Sequence, residues 1–338
     1  MNDKVKRTKE IGALLQQTTS KEIVSDFLRR KDVPHTGTWP ELIDKRLVGA
    51  VTDNKLAIED LVELLRSVEE FGKQHVFLQR CKEADAIALM DRKRISSILA
   101  ARGLSALLVE PAVLDQPAEP TIVDVRWEKA NVDLNLTIKL VEQRVSMRQG
   151  GLEQLPDGRM ARIQFIEKHR AVHVVKLHRN GLLELRIASQ SSKSKYEEEV
   201  HRVWKYFEPF LPSNFFADVD LTDAKNYMWE HRSENEEVYE YSNHWVRDEY
   251  GNVLSAVTAG GRRGLSSNKA VGGGLDYTLK NDSNAYSEGS NCWFKKSSSL
   301  SNDVHVLLSG QPNEFTLPAN CTKEDYQYVL NQLLFFNK

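Results

Sequence analysis

The sequence predicts an α+β protein, a helical N-terminal region carrying a helix-loop-helix and then a mixed domain with an antiparallel sheet. Three observations carry that reading. Apolar residues recur at helical spacing up to about residue 108. The stretch "VEPAVLDQPAEPTI" then packs three prolines into a short span that no helix can cross. Beyond it, Val132, Leu134, Leu136, Ile138 and Leu140 occupy every second position, the period of a half-buried strand. The expected division is therefore a helical domain over 1–108, a proline-rich linker over 109–120, and a mixed domain over 121–338. Limited proteolysis is expected to cut in that linker or near 260–274.

The first elements are two short helices across a turn. In "SKEIVSDFLRR", Ile23, Val24, Phe27 and Leu28 form one apolar stripe, with Ser20 placed to cap and Glu22 in the first turn, where negative charge suits the helix dipole. After the loop, Pro40 suits the first turn of "PELIDKRLVGAV", whose Leu42, Ile43, Leu47 and Val51 can face the first helix. "AIEDLVELLRSVEEFGKQHVFLQRC" reads as a longer amphipathic helix through Ile58, Leu61, Leu65, Val68 and Phe71, and "RKRISSILAARG" as another ending at Gly103.

In the second part, "TIVDVRWEKANVDLNLTIKLVEQRV" and the three strand-like runs of "MARIQFIEKHRAVHVVKLHRNGLLELRIAS" predict an antiparallel meander, with Asn180-Gly181 as a tight hairpin turn. "KYEEEVHRVWKYFEPFL" returns to helical spacing. The Gly-, Ser- and Asn-rich segment 251–301 predicts short strands joined by turns, anchored by Leu275, Tyr277 and Leu279 in alternation. A last helix, "TKEDYQYVLNQLLFF", starts on Thr322 and should dock on the mixed domain.

Composition narrows the function. A chain of 338 residues with 41% hydrophobic and 28% charged residues is that of a globular protein, and no apolar run approaches the roughly 18 residues of a membrane span. The basic N-terminus lacks the apolar core of a secretory signal, so a cytoplasmic or nucleoid-associated location is expected, nuclear in a eukaryote. Cys81, Cys292 and Cys321 are too far apart for a CxxC zinc site and too few for a disulfide framework. A net charge of -2 gives no global signal for a polyanion, so any nucleic-acid site must be local.

One local candidate stands out. Residues 20–51, "SKEIVSDFLRRKDVPHTGTWPELIDKRLVGAV", resemble the SAP family of DNA-binding modules at Ile23, Phe27, Leu28, Arg29, Arg30, Val33, Thr36, Gly37, Glu41, Leu42, Ile43, Arg46 and Leu47. The sequence departs from that pattern in two places. Trp39 stands at a usually basic position, and "LIDKRL" has one residue more than the common "LIERL". The resemblance implies binding to double-stranded DNA with some liking for AT-rich duplex. Physically, the loop and the N-terminus of the second helix suit a phosphate, with Thr36 and Thr38 hydroxyls donating around the Gly37 turn. Arg29, Arg30, Lys31, Lys45 and Arg46 would neutralise its neighbours. The alternative is a hairpin that packs on the following helices, plugged by Trp39, and serves as a protein-docking scaffold.

Other candidates carry less. Arg159, Arg162, Lys168, Arg170, Lys176, Arg179 and Arg186 recur through the meander, where alternating charge most often marks a solvated face. His173 and His178 differ by an odd number and so point to opposite faces of a strand, which argues against a shared metal. The loop around Arg262, Arg263 and Lys269 lacks P-loop spacing but offers cations to a nucleic acid or a partner. Asp218, Asp220 and Asp223 are the densest carboxylates, yet no Glu-x-Lys strand follows to make a nuclease of them. The expectation is a DNA-binding protein acting with a partner protein, with no catalytic residue, metal or cofactor assigned. A docking scaffold is the first alternative and an effector nuclease the second.

Overall fold

The computed structural model describes residues 3–130, 133–190, 196–258, 264–266 and 268–337. Helices and a large antiparallel sheet make up the α+β architecture, with a helical region preceding the sheet. That region is α1 (Asp3–Thr18), α2 (Lys21–Arg30), α3 (Trp39–Glu41), a π-helical turn over Leu42–Leu47, α4 (Val48–Thr52) and α5 (Ile58–Glu69). Their apolar faces close one core around Ile11, Leu15, Val24, Leu28, Leu42, Leu47 and Leu61. Ile23, expected in that stripe, lies outward instead, so the buried face of α2 is Val24, Phe27 and Leu28.

The long helix expected through Phe71 is corrected. It ends at Glu69, and Gly72–Arg80 is strand β1. The chain turns there because Gly72 adopts φ +82°, and a side chain at that position would sit 2.2 Å from the Ala319 carbonyl oxygen. After β1 come α6 (Glu83–Leu89) and α7 (Arg92–Ala101), then β2 (Thr121–Ala130), β3 (Asp133–Gln154), β4 (Met160–Leu177), β5 (Leu182–Ala188) and α8 (Tyr196–Phe207). The second half is β6 (Ala217–Asp218), α9 (Thr222–Glu230), β7 (Tyr239–Arg247), β8 (Val253–Val257), α10 (Lys269–Asn281), β9 (Tyr286–Phe294), β10 (Val304–Leu308), β11 (Glu314–Asn320) and α11 (Lys323–Phe336).

The strands form one sheet in the order β2-β3-β4-β5-β1-β11-β10-β9-β7-β8, with β6 alongside β1. The strand that precedes the proline-rich stretch is thus central, paired on one side with β5 and on the other with β11. The β2–β5 half buries Leu136, Ile138, Leu140, Val175 and Leu185 with Phe77 of β1, against Leu99 of α7 and Trp204 and Phe207 of α8. Val76 and Leu78, on the opposite face of β1, join Phe315 and Leu317 under Tyr326, Val329 and Leu330 of α11. Two cores therefore lie on opposite faces of one continuous sheet.

The expected strand patterns fare differently. The alternation from Leu134 to Leu140 does lie on β3, while Val132 lies outside the described residues. Asn180-Gly181 makes the turn, with Gly181 at φ +86°, but the three strand-like runs are two strands, β4 being continuous. Leu275, Tyr277 and Leu279 belong to a helix, not a strand: Leu275 is buried while Tyr277 is exposed, and Asn268 caps the helix by accepting from the Val271 N–H. Thr322 caps α11 through the Asp325 N–H at 3.0 Å, and that helix docks on the sheet as expected.

The expected separation at 109–120 does not follow the packing. That stretch is irregular chain, but α6 and α7 before it pack on the sheet, and it is tied down by bonds from Ala112 N–H to Val123 O and from Gln143 N–H to Pro117 O. The helical region meets the sheet through buried charge. Glu69 pairs with Lys139 at 2.6 Å and with Arg170, Glu70 pairs with Arg126 at 2.6 Å, and Arg66 reaches Asp124 at 2.8 Å. Glu184 and Arg186, paired at 2.6 Å, continue this seam to Tyr326, over whose ring the Arg186 guanidinium lies at 4.3 Å. Each of these charges has a partner, as its desolvation cost requires.

Candidate nucleic-acid interface

The hairpin begins with α2, whose last turn carries Arg29 and Arg30, where cations suit the dipole. The chain then turns through Asp32 at φ +54°, and Val33 drops into the core. Gly37 holds φ +149° with Glu41 directly beneath it, and Thr38 opens the second helix with Pro40 in its first turn. The helix then loosens into the π-helical turn Leu42–Leu47 and tightens again into α4. A π-turn winds one residue more into this stretch than an α-helix would, while the helix on either side keeps its phase. Leu42 and Leu47 both stay buried as a result. Ile43 packs on α1 at Gly12, where a side chain would come within 2.9 Å of it. Trp39 is half-buried against the same core.

The eight expected contact residues lie on α2, the loop and the second helix, and their side chains are engaged differently. Arg29 pairs with Asp26 at 2.8 Å, Lys31 with Asp60 at 2.7 Å, and Lys45 with Glu41 at 3.3 Å. Arg46 donates from Nε to the Thr36 carbonyl at 3.3 Å, laying its guanidinium along the loop. Among the described residues, neither Arg30 nor Arg46 has a carboxylate within pairing reach. Residues 1–56 hold eleven lysines and arginines against eight acids, so the hairpin and α1 carry positive charge in a chain that is negative overall.

The helix N-terminus expected to receive a phosphate is already engaged. Glu41 Oε2 accepts from the Thr38 N–H at 3.0 Å and from the Thr38 hydroxyl at 3.2 Å. The Thr38 backbone bond, with Lys45 behind it, holds the Glu41 carboxyl below its ordinary range. This capping box engages the Thr38 N–H and hydroxyl, two of the donors that were expected to meet a ligand. Of that expectation, the exposed Thr36 and the cations Arg30 and Arg46 are not taken up by it.

Elsewhere the expected candidates are redistributed. Arg170, Lys176 and Arg186 are not on a solvated face but in the buried seam, while Arg159, Arg162 and Lys168 lie on the exposed end of the β3–β4 hairpin. Arg179 is exposed, 3.9 Å from Glu83. Arg262 and Arg263 lie outside the described residues, and Lys269 begins α10. Asp218 accepts from Gln79 and Asn313, and Asp220, not Asp223, accepts from the Thr222 N–H at the start of α9. These carboxylates are thus spent on separate structural bonds and do not converge.

One constellation was not legible in the sequence. Glu142 and Arg144 on β3, His173 on β4, and Glu199 and Arg202 on α8 interlock beside an open cavity of about 530 Å³. Glu142, His173 and Glu199 bring three ligand-type atoms within 4.8 Å of one another. The same carboxylates, however, accept from Arg144 and from Arg202, the latter at 2.7 and 2.8 Å to Glu142. Two guanidinium groups already balance two carboxylates, so a cation there would meet like charge. Burial holds the His173 imidazole below its ordinary pKa. Only the alternation of Glu142 and Arg144 was visible in sequence; their meeting with His173 and α8 depends on register. His178, one residue beyond the end of β4, pairs instead with Glu184.

Among the described residues, no helix is long and apolar enough to cross a membrane. No protein-family model matches the chain, and no curated protein matches it.

Proposed function

We propose that the N-terminal hairpin binds duplex DNA through its phosphates, and that the sheet serves as a non-catalytic body acting with a partner protein. The observation that carries this reading is the pair Arg30 and Arg46, exposed or half-exposed at the two sides of the loop and lacking carboxylate partners among the described residues. The resemblance of residues 20–51 to SAP modules supports it. Binding is electrostatic and nearly indifferent to sequence, because nothing in the loop is placed to read base edges. Titration of a labelled duplex with the whole chain tests it. Affinity should fall with salt on a log-log slope reflecting about 3 to 5 neutralised phosphates. Arg30→Ala/Arg46→Ala should flatten that slope by about 2 and weaken AT-rich and GC-rich duplexes alike. Binding of the double variant as tight as the parent's at low salt overturns the reading.

A second reading is favoured by the capping box. With Glu41 filling the helix N-terminus, the loop can serve a protein partner whose acidic groups meet Arg30 and Arg46. The same double variant separates the two: loss of a protein partner in pull-down with duplex binding intact selects docking.

A further inference from the structure

The large apolar side chains that the molecule leaves exposed are not scattered. Of the twenty-one among the described residues, seven lie between Val145 and Ile166 on the β3–β4 hairpin and six between Tyr250 and Tyr277. These two places are also where strands lack neighbours. β2 covers β3 only as far as Val141, and β5 covers β4 only from Val174, so beyond those points the two strands pair with each other alone. The resulting arm, 142–154 of β3 and 160–173 of β4, reaches roughly 40 Å. A two-stranded ribbon of this kind is marginal in water. At the far end of the sheet, β8 pairs with β7 on one side and, among the described residues, with no strand on the other.

The arm has two unlike faces. Opposed residues share a face, so Met147 with Ile166, Val145 with Lys168 and Leu152 with Arg162 lie together, joined by Met160. Met147 is 69% exposed and Ile166 65%. On the other face Arg148 lies over Phe165 at 5.0 Å and pairs with Glu167, and Gly150 leaves room for Phe165, which a side chain would meet at 2.8 Å. That second face is satisfied within the arm. The first is apolar and carries two cations, Arg162 and Lys168, with no acid on it.

The β8 edge is its complement. Val253 and Val257 are exposed on one face of β8, and Tyr250 stands out at 82%. The turn leading into β8 carries Asp248 and Glu249, beside Asp282, which accepts from the Glu249 N–H. Between Glu230 and Thr258 there are seven acids against two arginines. We infer that the β3–β4 arm of one copy docks on the β8 edge of a second copy, head to tail. Strand addition would pair edge backbone groups of the arm with those of β8, set their exposed apolar side chains side by side on one face of the extended sheet, and bring Arg162 and Lys168 towards Asp248 and Glu249. A bilayer is a poorer occupant, since Arg162 and Gln164 lie within the apolar face. A polyanion is poorer too, the arm from 145 to 169 holding four lysines and arginines against three acids.

A heterologous contact leaves one unused arm and one unused edge at the two ends of any chain of copies, so association continues unless the ends meet in a ring. That property gives the test. Sedimentation of the whole chain at about 20 μM and above, where a weak interface would be populated, should show mass that keeps rising with concentration. Met147→Glu/Ile166→Glu in the arm, and Val253→Lys/Val257→Lys in the edge, should each weaken association at least roughly tenfold when alone. Mixed one to one, they should form a heterodimer that grows no further, because one intact arm meets one intact edge. Ser146→Glu adds charge on the opposite face of the arm and should leave association unchanged. Circular dichroism melts show whether each variant folds; if one does not, Ile166→Thr and Val257→Thr ask the same question with β-branched side chains kept. The inference is overturned by a parent that stays monomeric, including one that instead floats with anionic vesicles. It is equally overturned by an edge variant that associates like the parent, which would place arm against arm.

Discussion

Single residues in this protein are decided by burial of charge. Glu69 and Glu70 end α5 in the seam beneath the sheet, and both are held by cations that are themselves buried. Burial alone would raise the Glu70 carboxyl, but the Arg126 and Lys139 charges outweigh it and bring its pKa to about 2. Lys139→Ala, which leaves the two acids short of a partner, should cost about 3 to 5 kcal/mol in urea unfolding. His244 works the other way. It is buried, stacked on Trp229 at 3.9 Å, and burial with the Arg232 and Lys225 charges lowers its pKa to about 3. A histidine kept neutral in the fold stays deprotonated while the unfolded chain takes up a proton below about pH 6.5. Stability should therefore fall as pH drops from about 6.5 towards 3, by about 1.4 kcal/mol per unit once the unfolded form is protonated. The Glu70 contribution is present above about pH 4.5 and is lost as pH falls from there to about 2, so the histidine effect comes first. His244→Phe keeps the ring stack, and unfolding midpoints between about pH 6.5 and 5 should lose that part of the slope; an unchanged slope would assign it to other groups, such as His173. None of this was readable in sequence, where His244 is one polar residue in an alternating strand.

At the scale of elements, the sequence was most legible where a short pattern closes on itself. The cap of α11, the Asn180-Gly181 turn and the two hairpin helices are local, and their residues stand within a few positions of the groups they serve. The segment "QHVFLQR" misled because it follows a genuine amphipathic helix and contains a run too short to separate helix from strand by period. Only pairing with β5 and β11, more than a hundred residues away, makes it a strand. The triple glycine of α10 misled in the opposite direction, since three glycines argue against a helix until Leu275 finds the core. The π-turn yields a test of how the second hairpin helix absorbs its extra residue. Deleting Asp44 should let Leu42–Leu47 close as ordinary α-helix with Leu42 and Leu47 still inward, at a cost within about 1 kcal/mol. Deleting Asp26 from α2, which has no such slack, rotates the helix before Phe27 and Leu28 by about 100° relative to them and should cost about 4 kcal/mol or more. Thermal melts of the two deletions compare them directly; equal losses would mean the π-turn is needed for packing.

For the whole molecule, the question is what the proline-rich stretch divides. Composition marks a boundary at 109–120, yet β1 lies before that stretch and at the middle of the sheet completed after it. Composition reports the local chain, whereas division into units depends on where contacts close, and here they close across the linker. Cleavage at an engineered protease site beside Asp115 should therefore leave two pieces that elute together under native conditions and melt in one transition, because β1 stays hydrogen-bonded to β5 and β11. Removing residues 1–69 is a different operation. It strips Glu69 from Lys139 and Arg170 and Arg66 from Asp124, while Arg126 keeps Glu70, Asp124 and Glu128. Arg170 is then left buried without its carboxylate, while Lys139 keeps only Glu70 at 3.4 Å, a loss that costs more than a surface cut can. The truncated chain should be recovered poorly in soluble form and melt well below the parent, and Arg170→Met in the same truncation should recover part of the loss by removing the unpaired charge. A truncated chain as stable as the parent would show that the helical region sits on the sheet without supporting it, and that the two are separable at Glu70 instead of at the prolines.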